Sequence, residues 1–173
     1  MDFWEAVEKR HSVRRFDVDR DVAPEIVERI LSAAILAPSA GNCQPWHFFV
    51  VRDAVIKRHL AEAAWGQRFV AEAAVVIVVC AEPARSSARY GSRGSSLYCL
   101  QDTAAATEHI LLAATALDLG SCWVGAFDER AAAQALQLSA HLRPVAMVPI
   151  GYPLRPTARH TTRRKPDEVV TYI

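Results

Sequence analysis

Pro38-Ser39-Ala40-Gly41-Asn42-Cys43-Gln44-Pro45-Trp46-His47-Phe48-Phe49-Val50-Val51 is the stretch on which the fold turns. It follows a segment of helical spacing, passes through small polar residues and enters an aromatic and β-branched run. Small residues between a helix and a strand leave room for a ligand against the backbone. Working outward, Lys9-Arg10-His11-Ser12-Val13-Arg14-Arg15-Phe16 gathers guanidiniums and a hydroxyl in one short run. Charge-assisted donors of this kind suit a phosphate, and together the two segments point to an anionic, aromatic cofactor.

The remaining chain narrows the class. With 173 residues, 51% hydrophobic and 23% charged, it fits one domain, 1–173, with an ordinary core. A formal charge of +1 removes the general electrostatic case for nucleic acid or a membrane surface, which needs a clustered positive excess. The basic residues are read locally instead. Most are Arg, suited to bidentate phosphate contacts, although genomic base bias explains an Ala- and Arg-heavy composition equally well. Met1 to Arg10 carries acids and reads as a short amphipathic helix rather than a signal peptide, so a cytoplasmic location is expected. Ala73 to Ala81, the most apolar stretch, is shorter than the roughly 20 residues a membrane helix takes. Cys43, Cys80, Cys99 and Cys122 form no C-x-x-C pair and read as buried or incidental thiols, with no metal site.

Ala23 to Ala37 places Ile26, Ile30 and Leu31 at helical spacing, with Asp21 as cap, Pro24 in the first turn and Pro38 as terminator. Trp46 to Val51 and Val75 to Cys80 read as buried strands separated by a helix over 54–64. Arg85 to Ser96 has the polarity and glycines of a mobile loop, with Tyr90 and Arg93 as candidate substrate contacts or simply solvated residues. A long helix follows over 102–119, closed by Gly120 as a left-handed cap. Strands at 121–124, 145–150 and 169–173 and a helix at 129–136 complete the pattern. Strands and helices do not alternate strictly, and neither G-x-G-x-x-G nor G-x-x-x-x-G-K-[ST] occurs, so side chains must bind any phosphate. G-x-S-x-G and H-E-x-x-H are absent too, which disfavours hydrolase and metalloprotease chemistry.

Five ordered blocks now coincide: Arg10 to Arg14, Pro38 to His47, Gly120 to Phe127, Pro149 to Pro153 and Arg163 to Pro166. In these the chain resembles the FMN-dependent nitroreductases in their compact form, from end to end. The resemblance implies an α+β fold with a mostly antiparallel central sheet flanked by helices, in an intertwined homodimer with FMN at the interface. Residues 163–173 would be a tail reaching the partner, its Val169 to Ile173 adding a strand to the partner's sheet or, alternatively, closing the subunit's own sheet.

The resemblance also assigns residues. Arg10, His11 and Ser12, with Arg163 or Arg164 from the late basic run that continues into Lys165, fall at the FMN phosphate. The competing reading of Arg10, Arg14 and Arg15 is a solvated basic face at the end of the first helix. Arg14 falls where a cation stabilises the reduced flavin, and Gln67 where an amide reads the pyrimidine edge, donating and accepting at once. Val124 and Gly125 would turn backbone N–H groups to the flavin, with Gly125 allowing close approach. Pro38, Ser39 and Asn42 would border the ring from the other subunit, while Trp46 and His47 are packing residues. No metal is implied. The activity implied is hydride transfer from NAD(P)H to a nitroaromatic, quinone or similar electron-poor acceptor, by a ping-pong route. Dehalogenases and flavin-fragmenting enzymes share the fold, and a flavin-binding regulatory module without turnover is the alternative from another class.

Overall fold

The computed structural model describes residues 1–155 and 161–173. Its centre is β2 (Val75–Ala81), seven residues buried without exception. The reason is a strand of Val, Ile and Cys covered on both faces, since successive side chains point to opposite sides. Val76, Val78 and Cys80 face one core, and Val75, Ile77 and Val79 face the other. Antiparallel neighbours β1 (Trp46–Val51) and β4 (Arg143–Gly151) flank it, and the two-residue β3 (Gly120–Ser121) extends the sheet in the order β1-β2-β4-β3. Pairing of Phe48 with Val79 and of Ile77 with Val148 fixes the register, which shifts at a bulge between Val79 and Cys80.

Helices cover both faces. On the first lie α3 (Ala54–Ala63), α4 (Phe69–Glu72) and α7 (Glu129–Ala135), contributing Leu60, Val70 and Ala132. On the second lie α2 (Pro24–Ala34) and α6 (Cys99–Ala116), contributing Ile30, Ile110 and Ala114. Each fully buried Val, Leu or Ile stabilises this arrangement by about 1.5–3 kcal/mol. The α+β layering and antiparallel sheet are those expected from the sequence. Among the described residues no helix is long and apolar enough to cross a membrane.

Four local expectations are corrected. Segment 85–96 is not a loop: α5 (Pro83–Arg93) runs through it, bends at Gly91 (φ 57°) and leads through a π-turn at Gly94–Tyr98 into α6. Pro83 supplies the helix start, and the polarity mistaken for a loop belongs to a helix with one buried side chain, Ser86. The left-handed residue after α6 is Asp118 (φ 58°), not Gly120, which lies in β3. Gly120 is required for space: a Cβ there would sit 2.8–2.9 Å from Val13. Asp21 does not cap α2, whose N-cap is Ala23; its carboxylate instead accepts from Val22 N–H and Arg52. Val169 to Ile173 forms no strand in its own subunit and is exposed throughout, which removes the alternative in which it closes that sheet.

The N-terminal α1 (Phe3–Lys9) starts in a reciprocal capping box between Asp2 and Glu5. It buries Ala6 and leaves Phe3 and Trp4 exposed.

Candidate functional site

Where α1 ends, Arg10 donates its backbone N–H to Ala6 O as the C-cap, and the chain turns along the sheet. Ser12 forms a parallel bridge with Ser121, and Val13 N–H donates to Ser121 O at 2.9 Å. Phe16 bridges Pro153, and Asp17 N–H donates to Tyr152 O. The basic block is therefore an extended run stitched between Gly120–Ser121 and the end of β4. Within it Val13 and Phe16 are buried, while Ser12, Arg14 and Arg15 are exposed. The reading of these arginines as the end of a helix fails for Arg14 and Arg15, which lie beyond α1.

Cys122 marks the middle of the assembly. Burial raises its thiol pKa, and the Arg14 charge, a Ser12 side-chain hydrogen bond and the Arg10 charge oppose that rise. Because Ser12 bridges Ser121, the run from Arg10 to Arg14 lies along the 120–122 end of the 120–127 segment. Arg10 Nε lies 3.8 Å from Glu108 on α6, an ion pair at the edge of contact that leaves the terminal guanidinium nitrogens for a ligand. Arg14 projects over Phe69 with 6.0 Å to the ring centroid. His11 Nδ1 lies 2.8 Å from Lys9 O, so one ring nitrogen is engaged locally.

Gln67 ties the second half together. Its Nε2 lies 3.0 Å from Ala64 O and 3.3 Å from Ala126 O. Both amide hydrogens are thereby committed to backbone carbonyls, and Oε1 remains to accept. The expectation that Gln67 donates and accepts toward a ligand is corrected to acceptance alone. Val124 is corrected likewise. Its N–H donates to Met147 O at 2.9 Å and its carbonyl accepts from Met147 N–H, because β4 pairs with it. Among the described residues Gly125 N–H has no acceptor, and Gly125 is exposed. A Cβ there would approach only Trp123 Nε1, at 3.8 Å, so close approach by a ligand, not crowding, is what this glycine permits.

The Pro38–Gln44 turn lies elsewhere. Asn42 and Gln44 adopt left-handed φ of 55° and 49°, Gln44 N–H donates to Ser39 Oγ, and Ala40 N–H donates to Asp102 Oδ1 on α6 at 3.1 Å. Asp102 and Glu108 are six residues apart, about 9 Å of rise and about 240° of rotation on a helix. The turn and the Arg10 block therefore occupy different sides of α6, and this subunit does not bring Pro38, Ser39 and Asn42 to the arginines. Arg163 and Arg164 are exposed in the tail, where Arg164 Nε lies 3.2 Å from Glu168 and Arg163 bonds to Thr161.

Of the packing residues, Trp46 is buried against Ala37 and Ala106, whereas His47 is exposed beside Phe49, with ring centroids 5.0 Å apart. The thiols are free, with Cys43 half-buried and the others buried; Cys80 is pushed up to about 12 by burial. Among the described residues no His, Cys, Asp or Glu cluster could hold a metal. A cavity of about 480 Å³ between α3 and α7, lined by His59, Glu62 and Asp128, includes none of the residues assigned to cofactor. Sequence reasoning missed Asp102, and also Ser121, whose buried hydroxyl has no partner among the described residues. Asp102 stands in the first turn of an Ala- and Leu-rich helix, an ordinary place for a carboxylate, so its sequence position gave no signal.

The model of the nitroreductase family matches residues 7–70 and 64–152. A protein of Archaeoglobus fulgidus, named provisionally as an NADH dehydrogenase/NAD(P)H nitroreductase, is 40% identical over 148 residues, covering 83% of this chain and 81% of that one. The NADH dehydrogenase of Thermus thermophilus is 34% identical over 88% of this chain and 87% of its own. Among solved structures, a nitroreductase family protein of Clostridium novyi superposes with a TM-score of 0.80 at 33% identity, over 88% of this chain and 86% of that one. A nitroreductase family protein of Streptococcus pneumoniae superposes with a TM-score of 0.89 at 26% identity, over 99% of this chain and 100% of that one. This chain belongs to the nitroreductase family, a family of NAD(P)H oxidoreductases.

Proposed function

We propose that this chain is an FMN-dependent oxidoreductase that uses NAD(P)H to reduce a nitroaromatic, a quinone or a related electron-poor acceptor by a ping-pong route. The observation that carries the reading is the pairing of the Arg10–Arg14 run, through Ser12 and Val13, with Ser121 of the 120–127 segment, where Gly125 N–H is open and Gln67 Oε1 lies nearby. A cation and a hydroxyl at one end, and a second cation, an open N–H and an acceptor toward the other, fit a planar group with a dianionic tail. Arg10 and Ser12 would hold the phosphate, joined by Arg164 or Arg163 from a tail. Gly125 and Gln67 would meet the ring edges, with His11 and Val124 shaping the wall. The chemistry FMN supplies is two-electron transfer, and the protein's part is to hold, orient and tune.

Tuning falls to Arg14. A fixed cation beside the pyrimidine side offsets the negative charge gained on reduction, by at most about 4 kcal/mol at contact and surface dielectric. Arg14 is exposed, so screening leaves a fraction of that.

Two copies complete the site in this reading. The Pro38, Ser39 and Asn42 turn of one subunit borders the ring held by the other, and the 163–173 tail crosses to the partner. Exposed Phe3 and Trp4 on α1, with Val169, Val170, Tyr172 and Ile173 in the tail, supply apolar surface for such assembly. Removing Val169 to Ile173 should loosen the dimer and release FMN; sedimentation of an intact, FMN-loaded dimer after truncation rejects the exchanged tail.

The function itself is tested anaerobically. Yellow protein should bleach on addition of NADH or NADPH and recover its colour with a quinone or nitroaromatic. Yellow protein that neither nucleotide bleaches would mark a flavin-binding module without turnover.

A further inference from the structure

Three side chains from the α5–α6 unit reach backbone groups of one turn. Asp102 Oδ1 accepts from Ala40 N–H at 3.1 Å, Arg89 Nη1 donates to Gly41 O at 2.8 Å, and Arg85 Nε donates to Cys43 O at 3.0 Å. The first contact spans 62 positions of sequence and the others 48 and 42, so none is local. The turn they hold needs holding. Gly41, Asn42 and Gln44 all have left-handed φ, and for Asn and Gln that conformation is uncommon and costs energy. Approach is close as well: a Cβ on Gly41 would lie 2.7–2.8 Å from the Arg89 guanidinium and against the Tyr90 hydroxyl.

Asp102 itself is 7% exposed, and its Oδ2 has no partner among the described residues. A carboxylate buried in an Ala-rich helix with one oxygen unsatisfied costs stability, whatever its other oxygen does. That oxygen meets the turn.

We propose that Asp102, with Arg85 and Arg89, is a positioning clamp that sets the conformation of the Pro38–Gln44 turn and so the wall that this turn presents to the cofactor and acceptor. The proposal rests on the reading of the turn as part of a flavin site, but the clamp has its own readout. Asp102 touches neither cofactor nor acceptor; it acts through Ala40. α5 is then more than a cover: its arginines and the turn form one unit, so displacing α5 displaces the wall.

The test is hydrogen exchange resolved at residues 39–44 in the full-length protein, with FMN and after its removal, in Asp102→Ala, Asp102→Asn and the Arg85→Met/Arg89→Met double variant. Asp102→Ala should speed exchange at Ala40 by about tenfold, the scale of one lost hydrogen bond to a charged group. Asp102→Asn should restore protection, because its amide oxygen accepts the same N–H. The double Met variant should speed exchange across 40–44. In loaded protein, Asp102→Ala should lower kcat/KM for a quinone by about tenfold with kcat for NAD(P)H oxidation changed less, and Asn should rescue it. Unchanged Ala40 exchange in Asp102→Ala overturns the clamp, as does Asn behaving like Ala. Should the Ala variant fail to fold, the Asn and double Met variants decide. If the chain binds no FMN, the functional reading falls while the exchange result still judges the clamp.

Discussion

Gly120→Ala perturbs the seam between the basic block and the sheet, and its cost follows from distances. The new Cβ would lie 2.8 Å from Val13 Cγ1 and 2.9 Å from Val13 Cβ and Cγ2, where carbon atoms pack comfortably at about 3.5–4.0 Å. Val13 is 4% exposed and lies against the rigid sheet core, so the strain is relieved by moving backbone by about 1 Å. Overpacking of this kind costs about 1–3 kcal/mol, and the stiffer unfolded chain of an Ala variant returns to the account only about 0.4–1 kcal/mol less stability for the unfolded state. Contacts this short on a buried Val select the upper part of that cost, so the net expectation is a loss of about 1–2 kcal/mol, or about 2–8 °C in Tm for a chain of this size. Urea unfolding should show a lower midpoint with an unchanged slope. The partner variant sharpens the test: Val13→Ala removes two of the three crowding atoms, so the double variant should be less damaged than the sum of the singles by at least about 1 kcal/mol. FMN affinity should fall in Gly120→Ala as well, since Ser12 and Arg14 flank Val13. Stability within about 0.5 kcal/mol of wild type, or strict additivity of the pair, refutes the packing argument.

Arg10→Ala should weaken FMN binding by about 1.5–3 kcal/mol, read by fluorescence titration of apoprotein, with unchanged affinity returning Arg10 to its Glu108 ion pair alone. Glu129 is bonded by Arg143 at 2.8 and 2.9 Å, and that hydrogen bond is the main cause holding its carboxyl below its ordinary pKa. A carboxylate depressed in the folded state stabilises above its unfolded pKa and loses that contribution as pH falls through the folded value. Both partners are nearly half exposed, so Glu129→Gln should cost at most about 1 kcal/mol at neutral pH and nothing in acid; a cost independent of pH in denaturant titrations contradicts this. Thiol titration of native protein should find Cys43 fast and Cys80 silent, with Cys43→Ser abolishing the fast phase; rapid labelling of Cys80 contradicts its burial.

Strands β1, β2 and β4 were legible because β-branched and aromatic runs bounded by polar residues have few other uses, and the helical stripe of Ile26 and Ile30 was equally plain. α5 was not, since its Ser, Arg and Gly content reads as loop, and its helix depends on Pro83 at the start and on contacts with the 38–44 turn. Gly120 shows a subtler failure. A glycine after a helix has two explanations, conformation and space, and only the position of Val13 selects space. For the site, residue types revealed Arg10, Ser12 and Arg14, but which backbone N–H stays open depends on the β4 register, which commits Val124 to Met147 and leaves Gly125. Asp102 escaped because a carboxylate in a helix's first turn is ordinary until its burial and its bond to Ala40 are seen.

The central claim is that the 10–16 segment holds a flavin with Arg10 at the phosphate end and Arg14 near the ring, and the flavin midpoint potential in Arg14→Ala tests it most directly. About 1.4 kcal/mol corresponds to about 30 mV for a two-electron couple, so loss of an exposed, partly screened cation should lower the potential by about 10–40 mV. Equilibrium reduction against a reference dye, with FMN saturating, should show that drop in Arg14→Ala and a near-wild-type potential in Arg10→Ala. A potential unchanged or raised in Arg14→Ala would contradict the assignment.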